Sequence, residues 1–282
     1  MTGTNKMEAV FTSELLNEDL KQEMKTKGTW REGCPVALER LRVVKFAYYD
    51  FEEREHEDGE MVVLDAVSEH VKAIFEVLHT IKFPIGKACR IEHYGGSDEM
   101  SLADNNSAAF NHREITGGGL PSLHSYGVAI DINPIQNPYI APQDKRDPTQ
   151  GFAKVLPAEG LNYLNRTNLR PGMAEGVVEI FAKHGFKVWG GQWNNPIDWQ
   201  HFQPSRPVAQ LLAAMQPEHA EALFNMYVKE HRMLNAVDAR NNKLIHFYES
   251  NPQQFMEALQ AYEDVLAGEV QQAYELIERL MK

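Results

Sequence analysis

The pattern of apolar and polar positions changes twice along the chain. Through residues 1–35 single apolar residues sit among charges of both signs, which predicts a helix with a loose lead-in. From 36 to 205 short apolar runs alternate with turns that hold most of the Gly, Pro and Trp, the punctuation of an α+β core. Residues 206–282 lose that punctuation. Gly268 is their only Gly and Pro207, Pro217 and Pro252 their only prolines, so they predict three helices. No internal repeat is present.

Within the core, Val67, Val71, Ile74, Leu78 and Ile81 recur at steps of four, three, four and three, one apolar helix stripe that Pro84 ends. Pro171 suits the first turn of a second helix. Val177, Val178, Ile180 and Phe181 would form its buried face and Gly185 would stop it. Residues 89–94, 128–132, 186–189 and 199–203 predict short strands. In the tail, Leu211 and Met215, then Leu259, Tyr262, Leu266 and Val270, fall on helical spacing and predict packing stripes. The expected fold is α+β, a small antiparallel sheet with flanking helices, followed by an all-helical C-terminal extension. The expected divisions are 1–35, 36–205 and 206–282.

Composition narrows the function. The 282 residues are 43% hydrophobic and 24% charged, values of an ordinary globular chain with ample length for a core. Forty acids against 28 bases give a formal net charge of −12, so no broad basic footprint for nucleic acid or anionic lipid is expected. Residues 207–282 alone hold 11 acids and six bases, so the tail is read as scaffold and partial cleft wall rather than as a targeting module. No apolar run reaches the roughly 18 residues of a membrane span. The N-terminus does not read as a secretory signal peptide, so a cytoplasmic location or export without a cleavable signal is expected. Cys34 and Cys89 are the only cysteines. They are too few for a Cys-rich zinc site or a disulfide framework, and two free buried thiols are expected.

Two stretches carry candidate chemistry. In 122–134, His124 and Asp131 are seven apart and would face opposite ways on one regular strand. Gly127 between them can turn the backbone. Beyond it Val128, Ile130 and Ile132 would fill the core, while Asp131 would face a cavity beside the small Ala129. In 189–203, a turn after Pro196 can bring Asp198 and His201 near one point, with Phe202 buried on the opposite face. Two imidazoles and one carboxylate make an open zinc triad that leaves a position for water or substrate, and Asp198 is then free as a base.

These motifs resemble the M15-type zinc peptidases, which include D-alanyl-D-alanine carboxypeptidases and L-alanyl-D-glutamate endopeptidases. The hallmark Ser-x-His-x-x-Gly-x-Ala-x-Asp is met by Ser122, His124, Gly127, Ala129 and Asp131. The downstream acid-x-x-His is met by Asp198 and His201. The flanking 83–85, 97–98, 105–113 and 131–138 are similar to an extended carboxypeptidase-like branch, so the resemblance covers roughly residues 60–205. It implies Zn2+ held by His124, Asp131 and His201, with Asp198 as the catalytic carboxylate. Many carboxypeptidases have Glu at that position, whereas several phage endopeptidases have Asp. It further implies Arg113 on the developing oxyanion, Ser107 and Asp98 as substrate contacts, and a peptidoglycan stem peptide ending in D-Ala-D-Ala as substrate. A murein endopeptidase and a catalytically silent zinc- or peptidoglycan-binding module are the alternatives.

Overall fold

The computed structural model describes residues 9–115, 118–144, 147–229, 245–246, 248–258 and 260–261. In chain order its elements are β1 (Thr12–Leu15), α1 (Glu18–Lys27), β2 (Leu41–Tyr49), β3 (Glu55–Leu64), α2 (Asp65–Thr80), α3 (Asp98–Ala103) and β4 (Ile130–Asp131). There follow β5 (Tyr139–Asp144), β6 (Asp147–Leu156), α4 (Val178–Lys183), β7 (Val188–Trp189), β8 (Ile197–Asp198), β9 (His201–Gln203), α5 (Arg206–Ala214) and α6 (Pro217–Lys229). The strands form three small sheets, ordered β1-β2-β3, β4-β9-β7 and β6-β5-β8, and every pairing is antiparallel. This is the expected α+β architecture, with three small sheets in place of one.

The largest sheet is built on β2, whose Leu41, Val43, Val44, Phe46, Ala47 and Tyr48 are all buried. β3 pairs with β2 from Leu41↔Leu64 outward and runs directly into α2. The stripe on α2 is as expected for Val67, Val71, Ile74 and Leu78, all buried against that sheet. Ile81 is not part of it: the helix ends at Thr80, and Ile81 is 52% exposed. Phe46 and Phe75 stack at 3.7 Å between ring centroids, joining sheet to helix.

Several expected strands and helices come out shorter or different. Residues 89–94 are not a strand but lead into a 3-10 turn, Ile91–Tyr94. Gly95 and Gly96 at positive φ close that turn, and Glu92 is buried beside Ile91, where an alternating strand would turn one of them outward. The segments 128–132, 186–189 and 199–203 yield only β4, β7 and β9, two or three residues each. The helix after Pro171 starts as a 3-10 turn, Ala174–Gly176, and continues as α4. Val177 and Phe181 are buried there, while Val178 and Ile180 are half-buried. The β2–β3 and β5–β6 hairpins, which hold the longest strands among the described residues, lie outside the strands expected above. Cys34 and Cys89 are free and half-buried, Cys34 donating to the Ser125 carbonyl and Cys89 to the Tyr94 hydroxyl, each at 3.5 Å. No helix among the described residues is long and apolar enough to cross a membrane.

The first described helices of the C-terminal extension are locked to the rest of the fold. Leu211 and Met215 are buried, and α5 packs on the 3-10 turn Leu123–Tyr126. α6 lies on α2, its Leu223, Phe224 and Tyr227 buried. Arg40 ties three elements together. It pairs with both carboxylate oxygens of Asp65 at the start of α2, at 2.6 and 2.9 Å, and donates to the carbonyls of Leu212 and Met215 in and after α5. The stripe Leu259, Tyr262, Leu266 and Val270 lies outside the described residues. A chain ending at Arg206 would lose α5 and α6 and bare the apolar faces under them. Its thermal midpoint should fall and it should aggregate on warming, as read by calorimetry and light scattering; a midpoint equal to that of the full chain would show the extension to be independent.

Candidate metal centre

His124 is placed by a turn. Ser122 caps the 3-10 helix Leu123–Tyr126 through its hydroxyl, and Gly127 leaves it at φ +67°. A side chain at 127 would meet the backbone N of Leu64 at 2.7 Å, so the turn can sit against β3 only with Gly. The chain then straightens into β4. Val128, Ile130 and Ile132 are fully buried and Asp131 emerges from the strand. The short β9 lies antiparallel to β4 with Ile130 opposite Phe202 and Asp131 opposite His201. Phe202 is fully buried and stacks on Phe181 at 4.0 Å. The apolar pair anchors the two strands in the core, and the polar pair faces the other way.

His124, Asp131 and His201 are all buried, and one ligand atom from each lies within 4.8 Å of the others. His124 Nε2 is 3.2 Å from His201 Nδ1 and 3.2 Å from Asp131 Oδ2, and His201 Nδ1 is 2.9 Å from Asp131 Oδ1. Donors around a tetrahedral zinc ion at about 2.0–2.1 Å would stand about 3.3 Å apart, so the cluster has the size of one ion's ligand shell. The remaining imidazole nitrogens fit the same reading. His124 Nδ1–H donates to the Ala109 carbonyl, and His201 Nε2–H donates to Gln203 Oε1 at 2.6 Å. Each outer bond fixes a tautomer that turns the other nitrogen's lone pair inward. These donors could therefore hold a metal ion.

Electrostatics separates the two nearby carboxylates. Burial works against ionisation of Asp131, but the charges and hydrogen bonds of His124 and His201 outweigh it and hold the carboxyl well below the usual range. Burial followed by the negative charge of Asp131 pushes Asp198 up to about 6. Burial lowers His201, yet the hydrogen bond and charge of Asp131 more than offset it and raise it. Asp198 comes from β8 behind the cis Asn195–Pro196 bond, and its Oδ1 is shut from solvent without a hydrogen-bond partner among the described residues. A carboxyl poised near neutrality with an unspent oxygen is suited to taking up and releasing a proton.

Both carboxylates and both imidazoles line one cavity of about 590 Å³, the size of a small-ligand or peptide site. The sheet β6-β5-β8 gives one wall, where Tyr139 pairs with Asp198 on one side and with Leu156 on the other. Trp193 flanks His201 at 5.4 Å between ring centroids. Arg113 and Asp98 also line the cavity, and they form an ion pair with each other. Asp98 Oδ1 accepts a further hydrogen bond from the Asn111 amide at 2.7 Å. Ser107 is not part of the cavity lining: it is fully buried and its hydroxyl accepts the Asn133 backbone N–H at 3.0 Å. Gln203, Trp193 and Tyr139 were not singled out from sequence. Gln203 alone had a legible signal, since it stands two residues from His201 on the same face of a strand.

Gly127→Ala should destabilise the fold by at least about 2 kcal/mol, since the left-handed conformation alone costs roughly 1–2 kcal/mol and the added carbon meets backbone. Urea unfolding measures this, and wild-type stability would show that the turn relaxes freely.

No curated protein and no solved structure matches the chain. Residues 116–204 match the model of the D-alanyl-D-alanine carboxypeptidase family, a narrower span than the resemblance drawn from the motifs. That span holds His124, Asp131, Asp198 and His201, and over it the chain is similar to that family; Asp98, Arg113 and Arg206 of the same cavity lie outside it.

Proposed function

We propose that this protein is a zinc metallopeptidase that hydrolyses peptide bonds in peptidoglycan stem peptides containing D-amino acids, as a D-alanyl-D-alanine carboxypeptidase. The observation that carries the reading is the convergence of His124, Asp131 and His201 beside an unpartnered Asp198 oxygen in one cavity. The family match over 116–204 supports a peptidase for D-Ala-D-Ala-type substrates in general.

His124, Asp131 and His201 would hold the zinc ion. When bound, the ion supplies Lewis acidity and lowers the pKa of water from 15.7 to about 7. Asp198 accepts the proton of the attacking water and delivers it to the leaving amine nitrogen, so the C–N bond breaks without a covalent enzyme intermediate. Arg113 is held on the cavity wall by Asp98, where a fixed guanidinium can meet negative charge developing on the scissile carbonyl oxygen. Gln203 and the Ala109 carbonyl keep the two imidazoles oriented.

Metal analysis of the purified protein should find about one zinc per chain, and His201→Ala should lose most of it. Full occupancy in that variant would remove His201 from the ligand set. Asp198→Asn should keep zinc and fold while kcat falls at least about 100-fold. Undiminished turnover would assign the proton to another group. Mass spectrometry of muropeptides after incubation reads the bond cut: loss of a single terminal alanine is expected, and cleavage within the stem would indicate an endopeptidase.

A further inference from the structure

We infer that Arg206 is the specificity-determining anchor for a carboxylate that the substrate carries close to the scissile bond. This rests on the peptidase reading above and goes beyond it by naming a recognition element from outside the segment that matches the family, which ends at 204.

Arg206 is the first residue of α5, capped by Ser205, and it lines the same cavity as His124, Asp198 and His201. It is half-buried, and its Nη1 donates to the Pro121 carbonyl at 2.9 Å, next to the Ser122 that caps the His124 turn. That bond fixes the side chain and, among the described residues, leaves further guanidinium donors unused. Of the partly buried arginines, Arg40, Arg90 and Arg166 each meet at least one carboxylate, and so does Arg113 within the cavity; Arg42 and Arg170 bond backbone carbonyls, as Arg206 does, but neither lines the cavity. Arg206 meets none among the described residues. A partly desolvated guanidinium with a fixed orientation and no counter-charge suits bidentate recognition of a carboxylate brought by a ligand. Arg113 is less suited to that task because Asp98 already neutralises it. Lys154, the remaining cavity cation, is exposed, and solvent and salt screen its charge.

Two sources of carboxylate fit: the terminus of the peptide, or the side group of an acidic residue that follows the scissile bond. The test pairs each with its amide. One pair is an N-acylated peptide ending in D-Ala-D-Ala, as the free acid and as the C-terminal amide. The other is an L-Ala-D-Glu peptide and its D-isoglutamine counterpart. Cleavage rates are measured with the zinc-loaded wild type, and affinities by calorimetry with Asp198→Asn, in which binding is read without turnover.

In at least one pair the acid should bind and react at least about 10-fold better than the amide, one charge-assisted contact's worth. The pair that responds identifies the source. Arg206→Gln should erase that preference while retaining zinc, and Arg206→Lys, which restores charge but not the fork, should recover part of it. Lys154→Gln should leave the preference in place. Equal handling of acid and amide in both pairs overturns the inference, as does a preference that survives Arg206→Gln or disappears in Lys154→Gln. Those outcomes leave the peptidase reading standing. Absence of any cleavage or binding by the wild type overturns both.

Discussion

The register between β4 and β9 is the constraint on which the site depends. In this two-residue ladder Ile130 faces Phe202 and Asp131 faces His201. Side chains alternate along a strand, so the same register that buries the apolar pair presents the polar pair to the cavity. A slip by one residue would drive Asp131 and His201 into the core and expose Ile130 and Phe202. The stacks of Phe202 on Phe181 and on Trp189 therefore hold the geometry of the candidate metal site as well as packing. A ladder this short has few hydrogen bonds of its own. Its precision comes from the apolar side that it buries.

The third member of the cluster arrives by a different device. His124 sits on a turn whose exit requires Gly127, and the Gly127 carbonyl accepts the Leu64 N–H at the end of β3. α5 covers the turn from the other side. The cluster is thus assembled from a cross-strand pair and a turn clamped between the main sheet and the extension. That arrangement allows three polar groups to be buried together with nearly every hydrogen-bonding atom directed either inward at one point or outward at a fixed acceptor.

The candidate site was more legible in the sequence than the fold around it. Gly127 between His124 and Asp131 announced a turn, and the buried Val128, Ile130 and Ile132 announced which way Asp131 would face. These are local rules, and the structure brings the three residues together as they imply. The long hairpins were not read because their signal competes with charge: β3 begins Glu55-His56-Glu57-Asp58, and only its partner Leu41–Tyr49 makes a strand of it. Residues 89–94 misled for the opposite reason. Their composition suits a strand, but Gly95-Gly96 and the burial of Glu92 against Thr29 and Arg90 favour a turn. The Arg113–Asp98 pair is beyond any spacing rule, since 15 positions separate residues joined only by how α3 folds back.

The extension is where the reading of a family segment and the reading of a whole chain part company. The match ends at 204, yet Arg206 lines the cavity, α5 packs on the His124 turn, and Arg40 bonds carbonyls at the end of α5. A helix that both braces the His124 turn and places a cation in the cleft couples stability to selectivity. Changes in α5 packing would be felt at the His124-Asp131-His201 cluster through Leu123–Tyr126, and in the cleft through the position of Arg206. The chemistry of such a site can be common to a family, while what it accepts is set by residues that the chain adds around it.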